Sequence, residues 1–184
     1  MQPKLNRTKL CRVCRTSFSP RNSTQIVCGW ECAFELTVQK RIKTERKETR
    51  DAKLKLKTRA EWAREAQSAF NKYIRERDRG LPCISCDKPA SWDGQWHASH
   101  FRSVGAAPQL RFNLWNVHKS CSVCNNWLSG NLIEYDPRLR IKIGDSKVDF
   151  LRNANDRKAY SIDYLIRLIK IFKKKTNMLT SSRT

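Results

Sequence analysis

Eight cysteines fall as four close pairs, and nothing else in the chain limits its fold so strongly. The pairs are Cys11 with Cys14, Cys28 with Cys32, Cys83 with Cys86, and Cys121 with Cys124. Spacing of this kind makes zinc knuckles, and two knuckles supply the four thiolates of a tetrahedral site. No apolar stretch of a secretion signal precedes them, so metal in a reducing cytosol is expected rather than disulfides. Two structural zinc ions follow. One sits on Cys11, Cys14, Cys28 and Cys32, the other on Cys83, Cys86, Cys121 and Cys124.

A chain of 184 residues with 39% apolar content suits one modest domain with appendages. Its 38 lysines and arginines against 17 acids give a formal charge of +21, which points to a polyanionic partner such as nucleic acid. No apolar run approaches the roughly 20 residues of a transmembrane helix, so no membrane partner is expected and the chain is placed in the cytoplasm.

Residues 1–32 read as an N-terminal four-cysteine zinc finger, a knuckle plus a short helix starting near Cys32, too small to fold without its metal. Its basic residues (Lys4, Arg7, Lys9, Arg12, Arg15, Arg21) face Glu31 alone, a balance suited to phosphate or to a capping role. Residues 33–57 hold nine basic residues against four acids and neither Gly nor Pro. They read as an exposed helical linker whose Lys40, Arg41, Lys43, Arg46 and Lys47 are candidate DNA contacts. Residues 58–177 form the main domain. A capping box at Thr58 and Glu61 opens a helix whose Trp62, Ala66, Ala69, Phe70, Tyr73 and Ile74 recur at helical spacing until Gly80. Further on, Asp136-Pro137 reads as a helix start, 145–158 as a second helix, and 161–175 as a last one. The stripe Tyr164, Leu165, Leu168, Ile169 and Phe172 makes that last helix a core face or a dimer face. Residues 178–184 read as a disordered tail.

All three histidines lie between the knuckles of the second set. Residues 95–102 suit one strand, 117–120 a second, and the segment after Cys121 a helix, so the expected fold is α+β with a small zinc-bound ββα core surrounded by helices. His100 is then expected at the end of the first strand, facing Asn125 on the first helical turn across a small cleft. Hydrolysis of a phosphodiester needs a base for water and a cation for the developing charge. Imidazole titrates near working pH, so His100 is the candidate base. The amide oxygen of Asn125 suits a hard cation such as Mg2+, and His97, the second ligand, suits Mn2+ better. Asp93 is the fallback ligand. Asn116 is placed to pin the loop or orient the base, and the role of His118 stays open. Arg102, Arg111 and Lys119 are candidate contacts to scissile-strand phosphates.

Taken together, Cys83-x2-Cys86, His97-Ala-Ser-His100-Phe-Arg, Ala-Pro-Gln-Leu-Arg-Phe-Asn (107–113), Asn116-Val-His118-Lys, Cys121-x2-Cys124-Asn125 and Ser129-Gly130-Asn131 resemble the lambda NinG (Rap) family of phage recombination endonucleases over nearly the whole chain. The core is also similar to the HNH, or ββα-metal, superfamily, including the endonuclease VII resolvases. The resemblance implies an HNH-like nuclease that cuts branched intermediates such as Holliday junctions and D-loops with a divalent metal, in the host cell cytoplasm. It implies Asn125 as metal ligand and His100 as general base, and the resolvases' habit implies a homodimer. Phage or host recombination proteins are further expected partners. Two positions depart from the pattern. Residue 99 is Ser where many HNH enzymes carry an acid, and His97 stands where the NinG pattern often has Asp. The competing reading is a non-catalytic zinc-finger DNA-binding protein or recombination accessory module.

Overall fold

The computed structural model describes residues 8–155 and 159–182, so Lys4 and Arg7 lie outside the described residues. The chain divides into two compact units, residues 1–57 and 58–184.

In the first unit, strands β1 (Lys9–Leu10) and β2 (Ser17–Phe18) pair antiparallel, Lys9 opposite Phe18. The Asn22 side chain accepts hydrogen bonds from the amides of Thr24 and Gln25 and so builds the turn toward Cys28. Helix α1 (Trp30–Leu56) then runs unbroken for 27 residues. The expected boundary between finger and linker at 32/33 therefore falls inside a helix, because Cys32 is itself in the first turn. None of its residues is buried, and Trp30, Phe34, Val38 and Ile42 form an exposed line at four-residue spacing.

The second unit begins with the capping box: Thr58 accepts from the Glu61 amide while the Glu61 carboxylate accepts from the Thr58 amide. It opens α2 (Arg59–Arg77), whose Ala66, Ala69, Phe70 and Ile74 are buried. Their partners are Leu165, Leu168, Ile169 and Phe172 of α5 (Ile162–Ser181). Phe70 meets Phe172 edge-on, ring centres 4.9 Å apart, and Phe112 at 5.8 Å. The stripe of α5 is therefore a core face, with Tyr164 at its exposed edge. The helix also runs past Lys175 through Ser181, so the part of the expected tail from 178 to 181 is helical; residues 183–184 lie outside the described residues.

Strands β3 (Trp96–His100) and β4 (Val117–Cys121) pair antiparallel, with Trp96 opposite Cys121 and His100 opposite Val117. Because side chains alternate along a strand, paired residues share a face. Ala98 and Val117 pack against the α2/α5 core. Ser99 and His118 turn the other way, toward Tyr135 of α3 (Leu132–Ile143). There Tyr135 and Leu139 pack with Val148 and Leu151 of α4 (Asp145–Asn153), beneath Phe101 and Leu110. The hairpin thus lies between two helical layers.

Helix α3 starts well before the expected Asp136-Pro137, leaving Pro137 inside it. The start is set by a sharp turn in which Ser129, Gly130 and Asn131 all have positive φ (49°, 92° and 48°), a conformation that favours glycine and tolerates asparagine. The Asn131 side chain donates to the Ser85 carbonyl at 2.6 Å and holds that turn against the first knuckle. Helix α4 ends at Asn153 rather than near 158. Among the described residues, no helix is long and apolar enough to cross a membrane.

Candidate metal and catalytic site

Each cysteine set brings its four sulfurs within 4.8 Å of one another, and each can hold a metal ion such as zinc. The fit is close. Cys86 and Cys121 sulfurs are 3.8 Å apart, and Cys14–Cys28 and Cys28–Cys32 are 3.6 Å. A tetrahedron with metal–sulfur bonds of about 2.3 Å has edges of about 3.8 Å. Backbone amides are already aimed at the sulfurs: Cys121 donates to Cys83 at 3.2 Å, and Cys124 to Cys121 at 3.4 Å. Burial pushes the Cys83 thiol up to about 11, so an ion entering this set displaces protons and must be strong enough to do so.

Cys121 and Cys124 also position the next residue. A π-helical turn (Val123–Trp127) follows β4 and carries Asn125 directly after the last sulfur ligand. The Asn125 amide nitrogen lies 3.1 Å from Nδ1 of His97 and donates to Asn126 Oδ1 at 3.0 Å. The two candidate ligands are therefore neighbours. Half a turn of the Asn125 amide points its oxygen at the gap instead, and imidazole nitrogen with amide oxygen is a two-ligand set for a cation. Asp93 is exposed in the turn before β3 and joins no metal-binding cluster among the described residues. Two residues beyond Asn125, Trp127 stands 82% exposed.

His100 is placed differently from the expectation. It is three residues from His97 on one strand, so alternation sets the two imidazoles on opposite faces of the hairpin. His100 shares its face with Ala98 and Val117, and Asn125 meets His97 rather than His100. The cleft expected between residues 100 and 125 is thus replaced by two sites on either side of β3. Nε2 of His100 lies 3.0 Å from the Arg111 carbonyl. A carbonyl only accepts, so the proton is on Nε2 and Nδ1 keeps its lone pair. Burial holds the imidazole below its ordinary pKa, so it is neutral at physiological pH.

Asn116 is fully buried and pins the loop between the strands. It accepts from the Arg102 amide at 2.8 Å and donates to the carbonyls of Arg102 and Leu110 at 3.0 and 3.2 Å. None of these hydrogen bonds goes to the candidate base. His118 is also buried: the Tyr135 hydroxyl donates to the Ser99 carbonyl and accepts from His118 Nδ1. Desolvation, with Lys142 and Arg77 nearby, drives its pKa down to about 3. It is a neutral structural residue.

The three candidate phosphate contacts of the hairpin also divide. Arg102 spends its guanidinium on the carbonyls of Leu151, Arg152 and Ala154, where it caps α4. Lys119 is 3% exposed; its ammonium donates to the Arg79 carbonyl and lies 3.9 Å over the Trp96 ring. Both are structural. Arg111 remains at the surface, its Nε on the Gln67 side-chain oxygen at 2.7 Å. On α1, Lys40, Lys43, Arg46 and Lys47 are exposed, as is Arg41, which pairs with Glu45.

Sequence reasoning misses Asp78. It is 2% exposed, bridges Arg77 and Lys142, and accepts from the Lys119 amide, tying α2, β4 and α3 together. An Arg-Asp step at a helix end reads as surface charge, and the only hint of burial is its place just before the Gly-Leu-Pro turn.

The fold and the cysteine geometry define a mixed α+β protein of two units, each carrying a four-cysteine cluster that can hold a metal ion. Its sequence places it more narrowly. The family model described as Bacteriophage Lambda NinG protein matches residues 3–182. Protein ninG of Escherichia phage lambda is 38% identical over 190 residues, covering 93% of this chain and 92% of that protein. Protein ninG of Salmonella phage P22 is 37% identical over 190 residues, with 93% and 92% covered, and that of Enterobacteria phage H19B is 39% identical over 171 residues, with 83% and 84% covered. The chain therefore belongs to the NinG family. No solved structure matches it.

Proposed function

We propose that this protein is a metal-dependent endonuclease that hydrolyses phosphodiesters of branched DNA during phage recombination. The observation that carries the reading is the meeting of His97 and Asn125 beside the second tetrathiolate set, with a neutral imidazole, His100, fixed in one tautomer across the same strand.

His97 and Asn125 would hold a Mg2+ or Mn2+ ion, which supplies charge stabilisation at the phosphoryl group and leaving oxygen. His100 accepts the proton of the attacking water at Nδ1, while the Arg111 carbonyl steadies the imidazolium through Nε2–H. His100 stands at the end of β3, where it can meet a strand laid against the hairpin. Asn116 keeps that end rigid by locking residues 102 and 110. The net charge of +21 supports a polyanionic substrate. Paired cuts across a junction require two copies of the site, hence a homodimer.

A second reading, a zinc-stapled DNA-binding or recombination accessory protein without catalysis, is favoured by the partial burial of His100. One experiment separates them. A labelled four-way junction is incubated with the protein and Mg2+ or Mn2+, in parallel with His100→Ala. Metal-dependent cutting that falls by roughly 10²–10⁴-fold in the variant while junction binding persists is the expected result, the usual size of a general-base contribution. Binding by both proteins with no cutting under either metal leaves the accessory reading.

A further inference from the structure

We infer that the outer face of α2 is a track for a DNA backbone, and that it delivers the strand to His100 through Gln67 and Arg111. The inference rests on the endonuclease reading and adds to it the surface on which the substrate lies.

The inner face of α2 is consumed by the core. On the opposite side, Arg64, Ser68, Asn71 and Arg75 follow one another at intervals of four, three and four residues, which aligns them along one face of a helix. With Gln67 and Arg111 they line a shallow open concavity of about 360 Å³. The arginines of this stripe differ from most others in the unit. Arg77 is spent on Asp78, Arg102 on the end of α4, Arg138 on Asp87, and Arg140 on Asp136, Asp145 and Asp149. Arg64 and Arg75 have no carboxylate or carbonyl partner among the described residues, and the flanking Glu65 is drawn away to Lys173 of α5. Two uncommitted guanidiniums separated by neutral hydrogen-bonding side chains match a chain of phosphates, which guanidinium recognises with paired donors.

Dimensions agree. Arg64 and Arg75 are eleven residues apart, about 16 Å along the helix axis at about 1.5 Å per residue, far enough to take two different phosphates of one strand. The stripe is also joined to the candidate base. The Gln67 amide donates to Asn71 at 2.7 Å, Arg111 Nε donates to Gln67 at 2.7 Å, and the Arg111 carbonyl holds His100 at 3.0 Å. A strand held on α2 therefore arrives at the end of β3. Contacts to phosphate carry no sequence information, so a backbone track supplies affinity and register.

The test is equilibrium binding of the full-length protein to a fluorescent four-way junction and to a linear duplex without divalent metal, across a salt series. Arg64→Ala/Arg75→Ala is compared with wild type, with Arg64→Lys/Arg75→Lys and with Lys170→Ala/Lys174→Ala, which removes as much charge from the exposed side of α5. Two lost phosphate contacts lower the log–log salt slope by about 1.8 and weaken binding roughly 60-fold at about 0.1 M salt. The lysine pair keeps most of the affinity, the α5 pair keeps the wild-type slope, and all variants keep the wild-type circular dichroism. Cleavage, measured separately with metal, loses kcat/KM through KM in the arginine variant. Wild-type affinity and slope in Arg64→Ala/Arg75→Ala, or an equal loss in the α5 pair, overturns the track while leaving the endonuclease reading intact. A wild-type protein that binds no DNA overturns both.

Discussion

Asn125 and His97 stand 28 residues apart in the chain, yet their side chains meet at 3.1 Å. Two local devices bring them together. The pairing of Ser120 with His97 sets the strand register, and the π-helical turn after Cys121 turns Asn125 back over the hairpin. Both devices adjoin the same four sulfurs, so loss of the metal would loosen the pair.

The first prediction follows. Protein purified under reducing conditions carries two zinc ions per chain, one for each cysteine set. Cys124→Ser loses one ion together with the cooperative melting of residues 58–184, because zinc binding and folding are coupled in so small a frame. Cys14→Ser loses the other ion and leaves that melting transition in place, since its set lies in the separate first unit. Elemental analysis with scanning calorimetry reads both; full zinc retention in Cys124→Ser would refute the assignment.

Arg102 supplies the second. Its guanidinium serves three carbonyls at the end of α4, so Arg102→Ala should cost about 2 kcal/mol in urea unfolding, the scale of a lost charged hydrogen-bond network. Its salt slope for DNA should equal that of wild type, whereas removing a phosphate contact lowers the slope by about 1. A stable variant with a reduced slope would return Arg102 to the DNA-binding surface.

Arg102 also shows what a sequence can and cannot reveal. The cysteine spacing, the Thr58–Glu61 box and the apolar stripes of α2 and α5 are local or periodic, and each is realised in the fold. Whether a long cation is free or spent depends on partners far along the chain: Arg102 on carbonyls 49 to 52 residues away, Lys119 on one 40 residues away. Helix ends escape for related reasons. Pro137 reads as a start, but the positive φ values at 129–131 set the turn earlier. The helix expected to start near Cys32 begins at Trp30 and continues without a break through the linker. The opposite facing of His97 and His100 is, by contrast, available from strand alternation alone. The expectation of a shared cleft passes over that parity.

His118 gives a pH dependence. In the unfolded chain it titrates near the ordinary 6.5, and in the fold only near about 3. Below the unfolded value the denatured state binds a proton that the native state refuses. Its contribution is therefore complete above about pH 6.5 and is lost as pH falls toward about 3, at up to about 1.4 kcal/mol per pH unit. The stability gap between wild type and His118→Gln should narrow by roughly 2 kcal/mol from about pH 8 to about pH 5. Chemical denaturation at several pH values measures it, and a gap independent of pH would mean that His118 takes up its proton as readily in the fold as in the unfolded chain.

Metal preference provides the last prediction and the most direct test of the pair. An imidazole at position 97 is a borderline ligand that favours Mn2+ over Mg2+, whereas a carboxylate is a hard one. His97→Asp keeps an acceptor for the Asn125 amide, which now donates to nitrogen at 3.1 Å, and adds a negative charge beside the cation. If that charge contributes even about 1.4 kcal/mol, the Mg2+ concentration for half-maximal junction cutting falls about tenfold. His97→Ala and Asn125→Ala should instead raise the requirement for both ions while leaving DNA binding without metal unchanged. Metal titrations of cutting by the three variants decide the matter: unchanged dependence on both ions in His97→Ala and Asn125→Ala would remove the pair from the catalytic cation and leave it as a clasp on the zinc-held turn.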